Sequence, residues 1–598
     1  MAYFPDKQAI KQEIQESVNR FDLSCDHLTT TNFFTPEIAY VRDNTTREKW
    51  TNDSGVFARP LPMQLPVMGK AKLSLKTFFV PYRTLSPQWY DFITRSPHMP
   101  ANGNLPVLVQ EMPYFTMDTL QQLFTSAKYA TQETINWDFK DANGVGYKLT
   151  AFGRKAKKTL NQLRYQIIWG ELNKTPRHYN ALRILAFAKV YLDYYYSNQY
   201  SLLSQDSYMV DKILKADAST PYKLTVIDFD YIFELTKQSW YSEDYFVSQW
   251  DNPTAPNSAN TSFGTITLPD ITMIGSNVTA GDITNAGSNL INEGRTPFAT
   301  ISEDNNNVLL ITQYALDNLK KLTEYVQRYS LSGVRAINRY LSRFGVLLTA
   351  EKLRRSEYYG EQITNMQFGA IMSTADTTNA NLGDYAGQGI INSDGQEHNH
   401  FELDDNKDLG CIMQIFTINP KIGYWQGMAR ENMRTDPESY FNGIFDAMGT
   451  QATSAAELYV SNDGSSAFGK ESHVDNIFGY IPRQAHMKLS LDNLTGDFTC
   501  RSLNNNTLES PWHMYRTFDD TYFNNFGVVH SPAFAQTQDK EQYLRIFNYT
   551  KEEDADHFIV MIQSKVDANM HAKAVYDTYD FEGEGKRIIM QGLGPEAN

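Results

Sequence analysis

The sequence predicts a mainly β protein, a β-sandwich whose connecting loops have outgrown it and become partly helical. Three observations lead there. Short stretches of β character recur at 72–82, 411–419, 486–491 and 556–566. The segments between them far exceed ordinary loop lengths, and two of these carry helical periodicity. Nothing repeats at a solenoid period.

Taken in order, residues 5–20 place Ile10, Ile14 and Val18 on one helical stripe. At 72–82 (KLSLKTFFVPY), Leu73, Leu75, Thr77 and Phe79 alternate with Lys72, Ser74, Lys76 and Phe78. Pro81 follows, which reads as a strand with one buried face. Residues 181–197 form a helix that is apolar nearly all round. Residues 311–329 gather Tyr314, Leu319, Leu322, Tyr325, Val326 and Tyr329 on one side. SLSG at 330–333 breaks that helix, and a second brings Val334, Ile337, Leu341 and Phe344 together. Residues 251–307 have one basic residue, Arg295, no Tyr or Trp, and four β-branched pairs. They read as a polar excursion of short β segments, with an unstructured loop as the alternative.

Hydrophobic content of 41% and charged content of 21% are ordinary for a globular protein. The 36 Tyr and 34 Phe suit either a Tyr-rich core or extensive contact surface. Cys25, Cys411 and Cys500 form no CxxC or zinc spacing, which excludes a disulfide framework and fits folding in a reducing compartment. The N-terminus shows no apolar signal region, and no apolar run approaches membrane-spanning length, so neither export nor membrane insertion is expected.

Charge is unevenly distributed. Residues 142–192 have ten Lys/Arg against one acid, and residues 318–355 nine against two. These blocks carry +9 and +7, leaving −31 for the rest of a chain whose net charge is −15. Such asymmetry suits one face toward a polyanion; solvated helix faces or salt bridges are the plainer alternative.

Catalytic and metal motifs are weak. GSSAFGKES at 464–472 nearly spells a phosphate loop, but Glu471 stands where Ser/Thr should bind Mg²⁺. His398 and His400 lie two apart among acids, a spacing workable for metal on a strand, within what reads as a solvated acidic loop. FDLSC at 21–25 lacks the apolar region of a lipoprotein signal. No nucleophile elbow, HExxH or dinucleotide fingerprint is present. The reading assigns no catalytic residue, cofactor or metal.

The segment 424–451 carries the most informative pattern. Tyr424, Gln426-Gly427, Arg430, Arg434, Tyr440-Phe441 and Gly449-Thr450-Gln451 resemble the Y-x-Q-G…R…R…G-E-Q element of the major capsid proteins of microviruses, small tailless bacteriophages with circular single-stranded DNA. Thr450 replaces the usual Glu, and Ser439 lies near the acidic position. Further resemblances follow in family order: FDLSCDHLTTTNFFTPEIAYV (21–41), LKTFFVPYRTL (75–85), EDYFVSQWDNP (243–253), RYLSRFGV (339–346), LRRSEYYGE (353–361), FGYIPRQAHMK (478–488) and PWHM (511–514). In LRRSEYYGE, Ser356 replaces a Pro and Tyr359 a Leu. The resemblance is nearest the spike-less gokushovirus/alpavirus-like branch.

That resemblance implies a viral jelly-roll β-sandwich with long loops. Residues 1–34 would be an N-terminal arm and 35–598 one domain with insertions at 142–200, 251–307 and 311–345. It also implies a T=1 shell of sixty copies, resident in the virion and assembled in the host bacterial cytoplasm. The implied partners are further copies of itself, the single-stranded DNA genome, an internal scaffolding protein, a small basic DNA-packaging protein and a pilot protein. The insertion 251–307 would form a threefold protrusion that meets a host glycan or receptor. Tyr424, Gln426, Arg430, Arg434, Tyr440 and Phe441 are the expected subunit-contact residues, with local packing inside one subunit as the alternative. Arg154, Lys155, Lys157, Lys158 and Arg164 are the expected DNA-facing residues. A glycan-binding surface protein and a β-sandwich glycoside hydrolase are the rival functions.

Overall fold

A computed structural model describes most of residues 18–195, 222–249, 355–458 and 477–498. It also describes the strands Ile271–Ile274 and Val308–Ile311, parts of 321–347, and residues 513–516, 543–551 and 555–571. Two five-stranded antiparallel sheets dominate. The first contains β1 (Asn19–Asp22), β2 (Cys25–Thr31), β4 (Glu48–Pro60), β8 (Phe401–Asn406) and β12 (Phe558–Met570). The second runs β7 (Tyr385–Asn392), β6 (Glu357–Met372), β5 (Lys70–Pro81), β9 (Gly410–Pro420), β3 (Glu37–Asp43). Strands β2 to β5 alternate between the sheets, so the chain crosses the sandwich with each successive strand.

β12 shows why these strands form. Its residues alternate buried and solvent-facing along the whole strand, and Phe558, Val560, Ile562, Val566 and Ala568 point inward. Phe558, Val560 and Ile562 meet Leu73 and Leu75 of β5 and Phe416 and Ile418 of β9 across the sandwich, while Val566 and Ala568 pack with Tyr40, Trp50, Phe79 and Ile412. Each such burial contributes about 2 kcal/mol. At mid-sandwich lies a polar crosslink: the fully buried Gln414 Nε2 donates to Thr77 Oγ1 (3.3 Å), and Ser564 Oγ donates to Gln414 Oε1 (3.4 Å). Satisfying that amide in both sheets ties their register together.

The second sheet is covered on both sides. Phe78 and Val80 of β5 and Met413 and Ile415 of β9 face a helical layer that supplies Leu120, Phe124, Leu160, Ile184, Phe187 and Phe229. β5 is therefore buried on both faces, not one as the alternation predicts. The helices of that layer are α1 (Met117–Phe124), α2 (Ala151–Gln162), α3 (Leu182–Val190) and α4 (Val226–Leu235). Thr150 caps α2 by accepting from Gly153 N–H at 3.1 Å, and Thr225 with Asp228 forms a capping box on α4. Gly153 is required: a Cβ there would lie 1.9 Å from the Tyr129 carbonyl oxygen.

Three expectations are corrected. Asn19–Asp22, the end of the expected 5–20 helix, is strand β1, because Arg20 and its neighbours pair with 567–570 of β12; residues 1–17 lie outside the described residues. Residues 486–491 are not a strand: Gln484 turns the chain at φ 61° into a short 3₁₀ turn, Ala485–Lys488, and Leu489 and Leu491 are left exposed. Ile311 ends a strand, Val308–Ile311, paired with Ile271–Ile274, rather than opening a helix. Most of the expected 311–345 helix pair, and of 251–307, lies outside the described residues. The segment 19–31, read as part of an arm, is hydrogen-bonded into the first sheet through β12.

Candidate functional site: a braced contact loop and a basic groove

The segment 424–451 leaves β9 and is pinned from beneath. Tyr424 packs edge-on against Phe246, ring centroids 4.7 Å apart, and half-buried Gln426 follows. Gly427 passes so close to the chain that a Cβ would sit 1.8 Å from the Glu457 carbonyl oxygen, while Met428 N–H donates to the Ala456 carbonyl at 2.9 Å. Arg430 Nη1 donates to the Ala452 carbonyl (2.8 Å) and to Glu457 Oε1 (3.0 Å). Burial pushes the Glu457 carboxyl upward, and the Arg430 guanidinium only partly offsets it. Arg434 stacks on the Tyr440 ring at 5.4 Å and lies 3.8 Å from Glu431.

The two arginines therefore brace the loop from within the chain. What they hold outward is apolar: Met428, Tyr440, Phe441 and Ile444 are all exposed, Phe441 at 62% and Ile444 at 81%. Exposed apolar side chains grouped in this way form a surface patch.

Beneath the loop lies the hairpin β10 (Thr450–Ser454) and β11 (Ile477–Pro482). Gln484 N–H donates to Gln451 Oε1 (3.1 Å), and Gln451 Nε2 donates to His486 Nδ1 (2.8 Å). Burial, with Arg430 and Arg434 nearby, holds the His486 imidazole below its ordinary value, so it is neutral at pH 7.

The basic block divides. Lys158 Nζ is buried between Glu37 (2.7 Å) and Asp556 (2.9 Å), and Lys155 Nζ donates to the Thr236 and Lys237 carbonyls. Arg183 pairs with Asp43 at 2.8 Å and Lys189 with Asp193 at 3.1 Å. These cations neutralise the fold's own acids and carbonyls. Arg154, Lys157 and Arg164 instead line a groove of about 530 Å³ between α2 and strands β2 and β3, alongside His27, Asn161 and Asp138. Lys157 and Asn161 also border an aromatic pocket containing Phe139 and Trp169, whose rings stack 5.0 Å apart.

Sequence reasoning missed the acids that bind Lys158, which are remote in sequence, and missed Gln484, whose left-handed backbone no residue type announces. The 464–472 loop, His398 and His400 lie outside the described residues. Among the described residues, no three His, Cys, Asp or Glu are grouped to hold a metal, and no helix is long and apolar enough to cross a membrane.

A double sheet covered by helical insertions, with an exposed apolar ridge among the described residues, is the architecture of a structural protein. Residues 178–552 match the family described as capsid protein (F protein), and the chain belongs to that family. It is also similar to the capsid protein VP1 of Chlamydia phage 1, 24% identical over 212 residues, covering 35% of this chain and 34% of that protein. The match thus spans about a third of the relative's length. The expected likeness to microvirus major capsid proteins holds, as does the β-sandwich with helical insertions.

Proposed function

We propose that this chain is the major shell protein of a small single-stranded DNA phage, self-assembling into a sixty-copy T=1 capsid around a circular genome. The observation that carries the reading is the ridge Met428, Tyr440, Phe441 and Ile444, exposed on a loop that Gly427 and the Arg430–Glu457 pair hold rigid. Rigid apolar anchors lose little entropy when a second copy covers them. The groove lined by Arg154, Lys157 and Arg164 supports a genome-facing role, since cations beside stacked aromatics suit phosphate and base together.

The antiparallel pairing of Ile271–Ile274 with Val308–Ile311 supports reading the sequence between them as an insertion. In this reading that insertion stands at the threefold axis and meets a host glycan or receptor. The scaffolding, DNA-packaging and pilot proteins are the further partners, and assembly takes place in the bacterial cytoplasm. Purifying particles from cells that produce the complete phage, and reconstructing them at side-chain resolution, tests this directly. Sixty copies with the ridge at a subunit boundary are expected. A chain that stays monomeric in such cells overturns the reading.

A further inference from the structure

Behind the ridge, between the Arg430–Met433 turn and the β10–β11 hairpin, is a polar pocket of about 620 Å³. We infer that it receives a carboxylate side chain from a neighbouring copy of this chain. The inference rests on the shell reading and names the chemistry of one of its contacts.

The first support is a set of unmet polar atoms in the pocket wall. Gln484 and Thr453 are 2% and 0% exposed, yet neither atom of the Gln484 amide nor Thr453 Oγ1 has a hydrogen-bond partner; Arg434 Nε is likewise buried and unpartnered. Each buried polar group left in that state costs about 1–3 kcal/mol. Gln484 also sits at φ 61°, a conformation that costs more still for a non-glycine residue. A fold retains such a residue where something outside the chain completes it.

The second support is the identity of what is missing. The Gln484 N–H orients the Gln451 amide, whose nitrogen faces His486 Nδ1. Neutral His486 must accept there, so its proton is on Nε2, the nitrogen 3.4 Å from Arg434 Nη2. Two donors face one another with no acceptor between them among the described residues. The Glu457 carboxylate is turned to Arg430 and the Ser454 N–H, both of which donate to its Oε1. Asp436 lies in the wall with its side chain exposed, and has no ion-pair partner among the described residues.

A carboxylate supplies the acceptors. Genome phosphate would supply them too, and a particle reconstruction distinguishes the two. The wall itself carries Arg430, Arg434 and Arg483 against Asp436 and Glu457, a balance that suits a single added negative charge. The pocket is continuous with the ridge, since Arg434 in its wall stacks on exposed Tyr440.

The test uses Gln484→Met and Arg434→Met in cells producing the complete phage, with the thermal stability of the isolated chain measured in parallel. Gln484→Met removes only an unmet amide, so the isolated chain is expected to be as stable as the parent or more so. Particle yield is nevertheless expected to fall at least about tenfold, the effect of losing one well-made contact. Normal yield from both variants overturns the inference while leaving the shell reading intact; absence of particles from the parent sequence overturns both. In a reconstruction, an Asp or Glu oxygen of the adjacent copy should lie within hydrogen-bond distance of Arg434. A pocket holding only water, or a genome phosphate, overturns it equally.

Discussion

Ser356 donates both its backbone N–H (3.0 Å) and its hydroxyl (2.7 Å) to one carboxylate oxygen of Asp193. Asp193 lies in the π-helical turn Tyr191–Tyr195 that ends α3, and Arg355 reinforces the junction by donating to the Asp193 carbonyl at 2.8 Å. The helical layer is thus tied to the start of β6 at a fully buried point. The family pattern that LRRSEYYGE resembles has proline where Ser356 stands. A proline has no N–H to give, so the serine and the aspartate belong together.

Replacing Ser356 by Pro should therefore cost more than replacing it by Ala. The alanine variant keeps the N–H bond and loses only a hydroxyl bond to a charged acceptor, about 1.5 kcal/mol. The proline variant loses both bonds and leaves Asp193 poorly satisfied, about 3 kcal/mol. Denaturant midpoints of the isolated chain measure the difference. Equal losses would show that the N–H bond contributes nothing.

The ridge offers a separation of stability from assembly. Tyr440 and Phe441 are mostly exposed, so Tyr440→Ser with Phe441→Ser should change the isolated chain's stability by less than about 0.5 kcal/mol each. Particle yield should fall by more than about tenfold, because apolar anchors dominate interface energy. Gly427→Ala acts differently: its methyl group overlaps the Glu457 carbonyl, so folding of the loop itself is expected to suffer. Light scattering of purified particles, set beside thermal melts, distinguishes the two effects.

Strands were readable where a period-2 pattern meets a partner. The alternation at 556–566 became β12 because β2 and β4 flank it on either side. Met487, Leu489 and Leu491 alternate as well, yet Gln484 turns the chain away and no strand pairs with them. Pattern names a side chain's preference but not its neighbours. The same limit governs the site. Lys158 looks like a phosphate ligand from its helix alone, whereas its acids, Glu37 and Asp556, arrive from β3 and from the turn before β12. Arg430 was singled out from its motif, but its partner Glu457, 27 residues on, was not.

That division of the basic block makes a paired prediction. Lys157→Gln with Arg164→Gln should leave stability nearly unchanged and weaken binding of single-stranded DNA. If both contact phosphate, the slope of log affinity against log salt should become shallower by about 1.4. Lys158→Gln should instead destabilise the chain by about 3 kcal/mol, since it strands two acids against one another. Filter binding across a salt series, with melts in parallel, checks both. An unchanged slope in the double variant removes the groove from the genome-facing surface.

The last prediction concerns acid. His513, in the PWHM stretch, is buried, and its Nδ1 accepts from the Tyr515 N–H (3.2 Å) and Arg545 Nη2 (3.3 Å). Burial first, then the Arg545 guanidinium, lowers its pKa to about 4, with the Phe498 backbone opposing weakly. A folded-state pKa below the unfolded 6.5 means the unfolded chain takes up the proton first. The stability this group contributes is complete above pH 6.5 and is lost as pH falls toward 4. The loss across that window is about 3 kcal/mol. Asp556 acts lower: burial raises its pKa, but Lys158, the Thr30 hydroxyl and Arg154 together outweigh that and hold it below 3.8, so its contribution is lost only beneath the histidine window. Comparing the parent with His513→Gln, which keeps an acceptor but cannot titrate, isolates the histidine. Stability should fall less steeply from pH 6.5 to 4 in the variant, measured by denaturant midpoints at each pH. Identical slopes would mean that His513 already carries its proton in the folded chain, with the Arg545 contact broken.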